Sequence, residues 1–114
     1  MEDDSILRKL ETLLFEAESA GVFTDTNFKI LDNIMRQYWL IVKELNEITP
    51  NIFNNIATNG IIDLINRSNL TESTEDINDK KGHYKDYWDY LTHSIAITIS
   101  YIKNYLPENS PSSI

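Results

Sequence analysis

Residues 28–45 read FKILDNIMRQYWLIVKEL, and Phe28, Leu31, Met35, Tyr38, Val42 and Leu45 recur there at spacings of three and four without a break. That spacing stacks side chains along one face of a 3.6-residue helix, whereas a strand needs strict alternation. Ile34, Ile41 and Ile48 stand beside the seam and widen it into a heptad-like stripe. Thr24-Asp25-Thr26 lies just ahead as a cluster of N-capping residues. A helix with so long an apolar face must pack against other helices to bury it.

Such partners stand on both sides of it in the chain. From Asp4 to Ala20, Ile6, Leu10, Leu13 and Ala17 repeat at spacings of four and three, with Leu7 and Leu14 beside them. Acids crowd the first turn of that segment, and Gly21 supplies a stop. Downstream, Thr49-Pro50 predicts a helix start with Thr as cap and Pro in the first position. Ile52, Phe53, Ile56, Ala57, Ile61, Leu64 and Ile65 fill one side of this third helix. Asn59-Gly60 interrupts it; the pair is also a hairpin-turn signal, but the flanking residues keep helical spacing, so the expectation is a kinked or split helix.

Residues 68–82 (SNLTESTEDINDKKG) are polar and acidic with few apolar anchors, and read as a long loop ending at Gly82. A last helix is expected from His83 to Leu106, with Tyr84, Trp88, Leu91, Ile95, Ile102 and Tyr105 along its seam and Pro107 as its stop. Within it, residues 94–102 (SIAITISYI) alternate like a strand. A lone strand in a helical chain would have no ladder partner, so helix is the reading taken. The sum is an all-α, antiparallel four-helix bundle with a kinked or split third helix and a long acidic loop before the last one. Residues 1–106 form one domain, and 107–114 a C-terminal tail. Burial of a Leu, Ile or Phe side chain is worth roughly 1.5–3 kcal/mol, so this many suffice without metal or disulfide.

Eighteen acidic residues against ten basic ones leave a net charge of −8. Gripping a nucleic acid needs clustered Lys and Arg to displace counterions, and an anionic membrane would repel the chain, so neither is an expected partner. Without cysteine there are no disulfides, thiolate metal sites or cysteine nucleophiles. The start Met1-Glu2-Asp3-Asp4 lacks the positive charge of a signal peptide, and no run approaches the roughly 18 apolar residues of a membrane span, so a cytoplasmic location is expected.

Positive signs of catalysis are missing as well. His83 and His93 are ten residues apart, a poor spacing for a helical metal pair. No Arg lies four to six residues before either His, so the signature of HEPN ribonucleases is absent, as are phosphate-cradling glycine loops and the nucleophile elbow. Asp86, Asp89 and His93 share one side of the last helix; they form either a half metal site, an acid–base set, or a solvated face with a helix-stabilising Asp–His pair. No cofactor, metal ligand or catalytic residue is assigned.

The features least explained by a simple bundle point instead to protein binding. Trp39 and Leu40 lie off the 28–45 seam, Tyr90 and Ile97 lie away from the last helix's seam, and Tyr87 and Tyr101 flank it. A helix apolar on more than one side is either central in its bundle or covered by another molecule, and aromatics are common interface anchors. Acid is concentrated in the first segment and again at Glu72, Glu75, Asp76 and Asp79. The expectation is a non-catalytic, inhibitor- or immunity-type regulator. Its carboxylates would meet a basic protein surface, such as that of a nucleic-acid enzyme, with Trp39, Leu40, Tyr87, Tyr90 and Ile97 among the contacts. The alternative is a structural or adaptor subunit that pairs with a second copy through the last helix.

Overall fold

The computed structural model describes residues 2–105, with side chains from Ser5 onward. Five α-helices follow in order: α1 (Glu2–Ser19), α2 (Asp25–Ile48), α3 (Pro50–Asn55), α4 (Ile61–Ser73) and α5 (Ile77–Tyr105), with a π-helical turn, Ile56–Gly60, joining α3 to α4. No strand occurs among the described residues, and 94–102 is helical. The 107–114 tail and its Pro107 stop lie outside the described residues.

The seams predicted by spacing form most of the core, although Trp88 is half-buried and Tyr105, at the end of the last seam, is exposed. Ile6, Leu10, Leu13 and Ala17 of α1 are buried, as are Leu31, Ile34, Met35, Tyr38, Ile41, Val42 and Leu45 of α2; Phe28 is half-buried and Ile48 is exposed. Thr24 caps α2 by accepting a hydrogen bond from the Asn27 N–H at 2.9 Å. Pro50 opens α3 as expected, but the Thr49 side chain makes no cap bond. The backbone N–H of Thr49 instead closes α2 on the Leu45 carbonyl at 2.8 Å. Asn59-Gly60 falls inside the π turn, where Asn59 donates from Nδ2 to Asn55 Oδ1 at 2.8 Å and Thr58 donates to the Asn54 carbonyl at 2.8 Å. These bonds span four residues, the reach of a helix, and the pair forms no hairpin.

The long loop expected over 68–82 is absent, because helix occupies most of it. α4 runs to Ser73, α5 starts at Ile77, and only residues 74–76 connect them. Apolar periodicity missed this because the inward positions of α4 here are hydroxyls whose hydrogen bonds permit burial. Ser68 donates to Asp32 at 2.7 Å, and Thr71 donates to the Arg67 carbonyl at 2.8 Å; both residues are buried. Asp76 then starts α5: its carboxylate accepts from the N–H groups of Asn78 at 2.8 Å and Asp79 at 3.2 Å. Lys80 reaches back to the end of α4, donating to the carbonyls of Thr71 at 3.0 Å and Glu72 at 3.1 Å.

α5 is the helix the others surround. Along α1 and just past its end, Gly21 meets Tyr84, Ala17 meets Trp88 and Glu11 meets Lys103. Along the 50–73 segment, Phe53 meets Tyr101, and Asp63 and Arg67 both meet Tyr90. Both segments therefore run against α5. α2 runs with it, Phe28 and Asp32 meeting Tyr87 and Tyr38 meeting Ser94 and Thr98. The result is a rod of 55 × 25 × 17 Å.

Candidate partner-binding surface

The tyrosines of α5 are mostly committed within the fold. Tyr87 has no exposed surface, which removes it from the surface role expected of it. Its hydroxyl donates to Asp32 Oδ1 at 2.7 Å, the same oxygen that takes the Ser68 hydroxyl at 2.7 Å. Burial is the main cause that raises the Tyr87 pKa above the ordinary tyrosine range, and the hydrogen bond to Asp32 adds to it. The spacing was nevertheless readable: Tyr84, Tyr87, Leu91, Ile95, Thr98 and Ile102 all lie within one buried stripe of α5. Tyr90 is half-buried and donates to Asp63 Oδ2 at 3.0 Å, while the Arg67 guanidinium sits 4.6 Å from its ring centre. Burial, then the Asp63 hydrogen bond, raises its pKa too. Ile97 is half-buried, which leaves less apolar area on α5 for a second copy than its sequence position suggested.

α2 presents the more open surface. Leu40 is 64% exposed and Trp39 is 37% exposed, with the Lys43 ammonium 5.5 Å from the Trp39 ring centre. Leu40 lines a groove of about 920 Å³ between α1 and α2 that has Leu13 and Ile41 among its apolar residues. Arg8 and Lys9 contribute from α1 and Glu44 from α2, so the groove carries both signs of charge. Sequence reasoning found Leu40 as a residue opposite the seam but not this groove, which depends on how α1 and α2 sit side by side.

Glu72, Glu75, Asp76 and Asp79 are all exposed at the α4–α5 junction. The Asp76 cap and the Lys80 clasp hold this segment in place, so the carboxylates stand on defined helix ends instead of a long loop. Among the described residues, none of Glu72, Glu75 or Asp79 makes a salt bridge. Of the acids of α1, Glu11 stands far from this patch. Glu11 lies 3.7 Å from Lys103, 24 residues after Asp79 on the same helix, or about 36 Å at 1.5 Å per residue.

Asp86, Asp89 and His93 lie around a shallow depression with Arg67 and Tyr90. Asp89 pairs with Lys85 at 3.4 Å, and His93 is exposed. Among the described residues, no group of three or more His, Cys, Asp or Glu side chains is placed to hold a metal ion. The depression is a mixed-charge surface in which cations already neighbour the acids. No helix among the described residues is long and apolar enough to cross a membrane. No family model, curated protein or solved structure matches the chain.

Proposed function

We propose that the chain is a small, non-catalytic protein-binding regulator of inhibitor or immunity type, which occludes a basic surface of its partner, such as the face of a nucleic-acid enzyme. The observation that carries this reading is the α4–α5 junction, where exposed carboxylates without salt-bridge partners are presented on backbone fixed by the Asp76 cap and Lys80. Carboxylates carried on a fixed backbone steer a cationic partner without the cost of ordering a loop when it docks. Trp39 and Leu40 supply exposed apolar contact on α2. Tyr90 and Ile97, being half-buried, play at most an edge role.

Affinity capture from the native source, with identification of the bound proteins by mass spectrometry, tests the reading. The expected catch is a basic nucleic-acid enzyme that is retained at low salt, released at high salt, and lost when Glu72→Gln, Glu75→Gln and Asp79→Asn are combined. A neutralised variant that retains the same proteins with the same salt dependence would sink the electrostatic mechanism.

A further inference from the structure

The acidic junction has a feature of opposite character beside it. The α1–α2 connection and the first turns of α5 line a half-open surface pocket of about 500 Å³ whose lining includes Val22, Phe23, Tyr84 and Trp88, with Lys81 and Lys85. That volume lies within the range of small-molecule sites, and a largely apolar lining with a few polar groups is their usual composition. Its aromatic walls are fixed by bonds that do not involve a ligand. Trp88 donates from Nε1 to the Ala17 carbonyl at 2.7 Å, and the Tyr84 hydroxyl donates to the Gly21 carbonyl at 2.9 Å. Phe23 meets Tyr84 edge-on with ring centres 5.5 Å apart. Val22 is left 82% exposed.

The charge at this pocket runs against that of the whole chain. In a protein with ten basic residues and eighteen acidic ones, Lys80, Lys81 and Lys85 fall together here. Lys80 is held by the α4 carbonyls, and Lys85 stands 5.6 Å from the Trp88 ring centre while pairing with Asp89. Lys81 is exposed and makes no hydrogen bond or salt bridge among the described residues. An apolar body fits the walls and an anionic group fits the lysines. We propose that this pocket binds a small amphipathic carboxylate, its hydrocarbon part against Phe23 and Trp88 and its carboxylate toward Lys81 and Lys85.

The probes are octanoate and octan-1-ol, which share a chain and differ in charge. Trp39→Phe leaves Trp88 as the sole tryptophan, so its emission reports on the pocket directly. Octanoate is expected to shift that emission saturably, with octan-1-ol needing about tenfold more, the equivalent of ~1.4 kcal/mol. Lys81→Glu with Lys85→Glu is expected to weaken octanoate about tenfold while leaving octan-1-ol unchanged. Both lysines are exposed, and circular dichroism checks that the double variant keeps its helices. The proposal is overturned if octanoate gives no saturable response, if the two probes bind alike, or if charge reversal leaves octanoate binding intact.

Discussion

Tyr87 of α5 and Trp39 of α2 both stand off a heptad-like seam, yet Tyr87 has no exposed surface while Trp39 keeps 37% of its own. The difference lies in the neighbours. α5 is touched by α1, α2, α3 and α4 in turn, so its buried stripe is widened by half-buried residues such as Tyr90, Ile97 and Tyr101 that meet or border other helices. α2 buries one broad stripe and leaves Trp39, Leu40 and Lys43 outward. An amphipathic pattern that spills past one face therefore has two physical meanings, and this molecule contains one helix of each kind. The same side-chain type should then behave differently on the two helices.

The largest contrast is between two leucines. Leu91 on α5 is fully buried, and Leu91→Ala removes its transfer energy and leaves a cavity, for an expected loss of about 2–5 kcal/mol. Urea unfolding followed by circular dichroism measures it. A loss near zero would mean that α5 is not the centre of the core.

A smaller effect is expected from the polar network that joins α2, α4 and α5. Asp32→Ala strips the acceptor from both Ser68 and Tyr87, leaving two inward hydroxyls without it, for about 1–3 kcal/mol. The same region gives the fold an alkaline limit. Burial raises the pKa values of Tyr38 and Tyr87 above those of an unfolded chain. Groups raised in this sense contribute stability that is complete below the unfolded value, about 10, and is lost as pH climbs from there toward the folded values. Unfolding midpoints should fall above pH ~10. Tyr87→Phe and Tyr38→Phe together should flatten that decline; an unchanged slope would place its cause elsewhere.

Next in size is the junction. Asp76→Ala removes the cap of α5 and is expected to cost about 1 kcal/mol, with loss of amide protection at Asn78 and Asp79 in hydrogen exchange. If protection persists, the Lys80 clasp alone holds the turn, and the carboxylates keep their display without the cap.

How far the sequence carried these conclusions depends on what each residue uses to be buried. The seams of α1 and α2 were legible because Leu, Ile and Met at helical spacing have only one way to leave water. The 68–82 stretch was not, because Ser68 and Thr71 enter the core by hydrogen bonding, which apolar periodicity does not register. Its helix start was nevertheless written in Asp76, a capping residue three positions ahead of Asp79, amid a run of other capping residue types that masked it. For the candidate surface, Trp39, Leu40 and the four acids are exposed as expected, whereas Tyr87 is buried in a stripe that helical spacing alone already implies, with Asp32, 55 residues away, taking its hydroxyl. The α1–α2 groove and the lysine-rimmed pocket arise only when separate helices come together, and no local pattern encodes them.

The smallest stability effect is expected at the other leucine, and it is the more telling half of the contrast. Leu40 is 64% exposed, so Leu40→Ala gives up little buried area and should change stability by no more than about 0.5 kcal/mol. Alanine also has the better helix propensity, which offsets part of that change. If the proposed binding role of Leu40 holds, its contribution should appear on binding instead of on stability. Leu40→Ala is expected to leave urea unfolding as it was and to reduce capture of the partner by about tenfold, as loss of an apolar interface contact does. A variant that unfolds early would show α2 to be packed as α5 is. One that is stable and still binds fully would place the interface away from the α1–α2 groove.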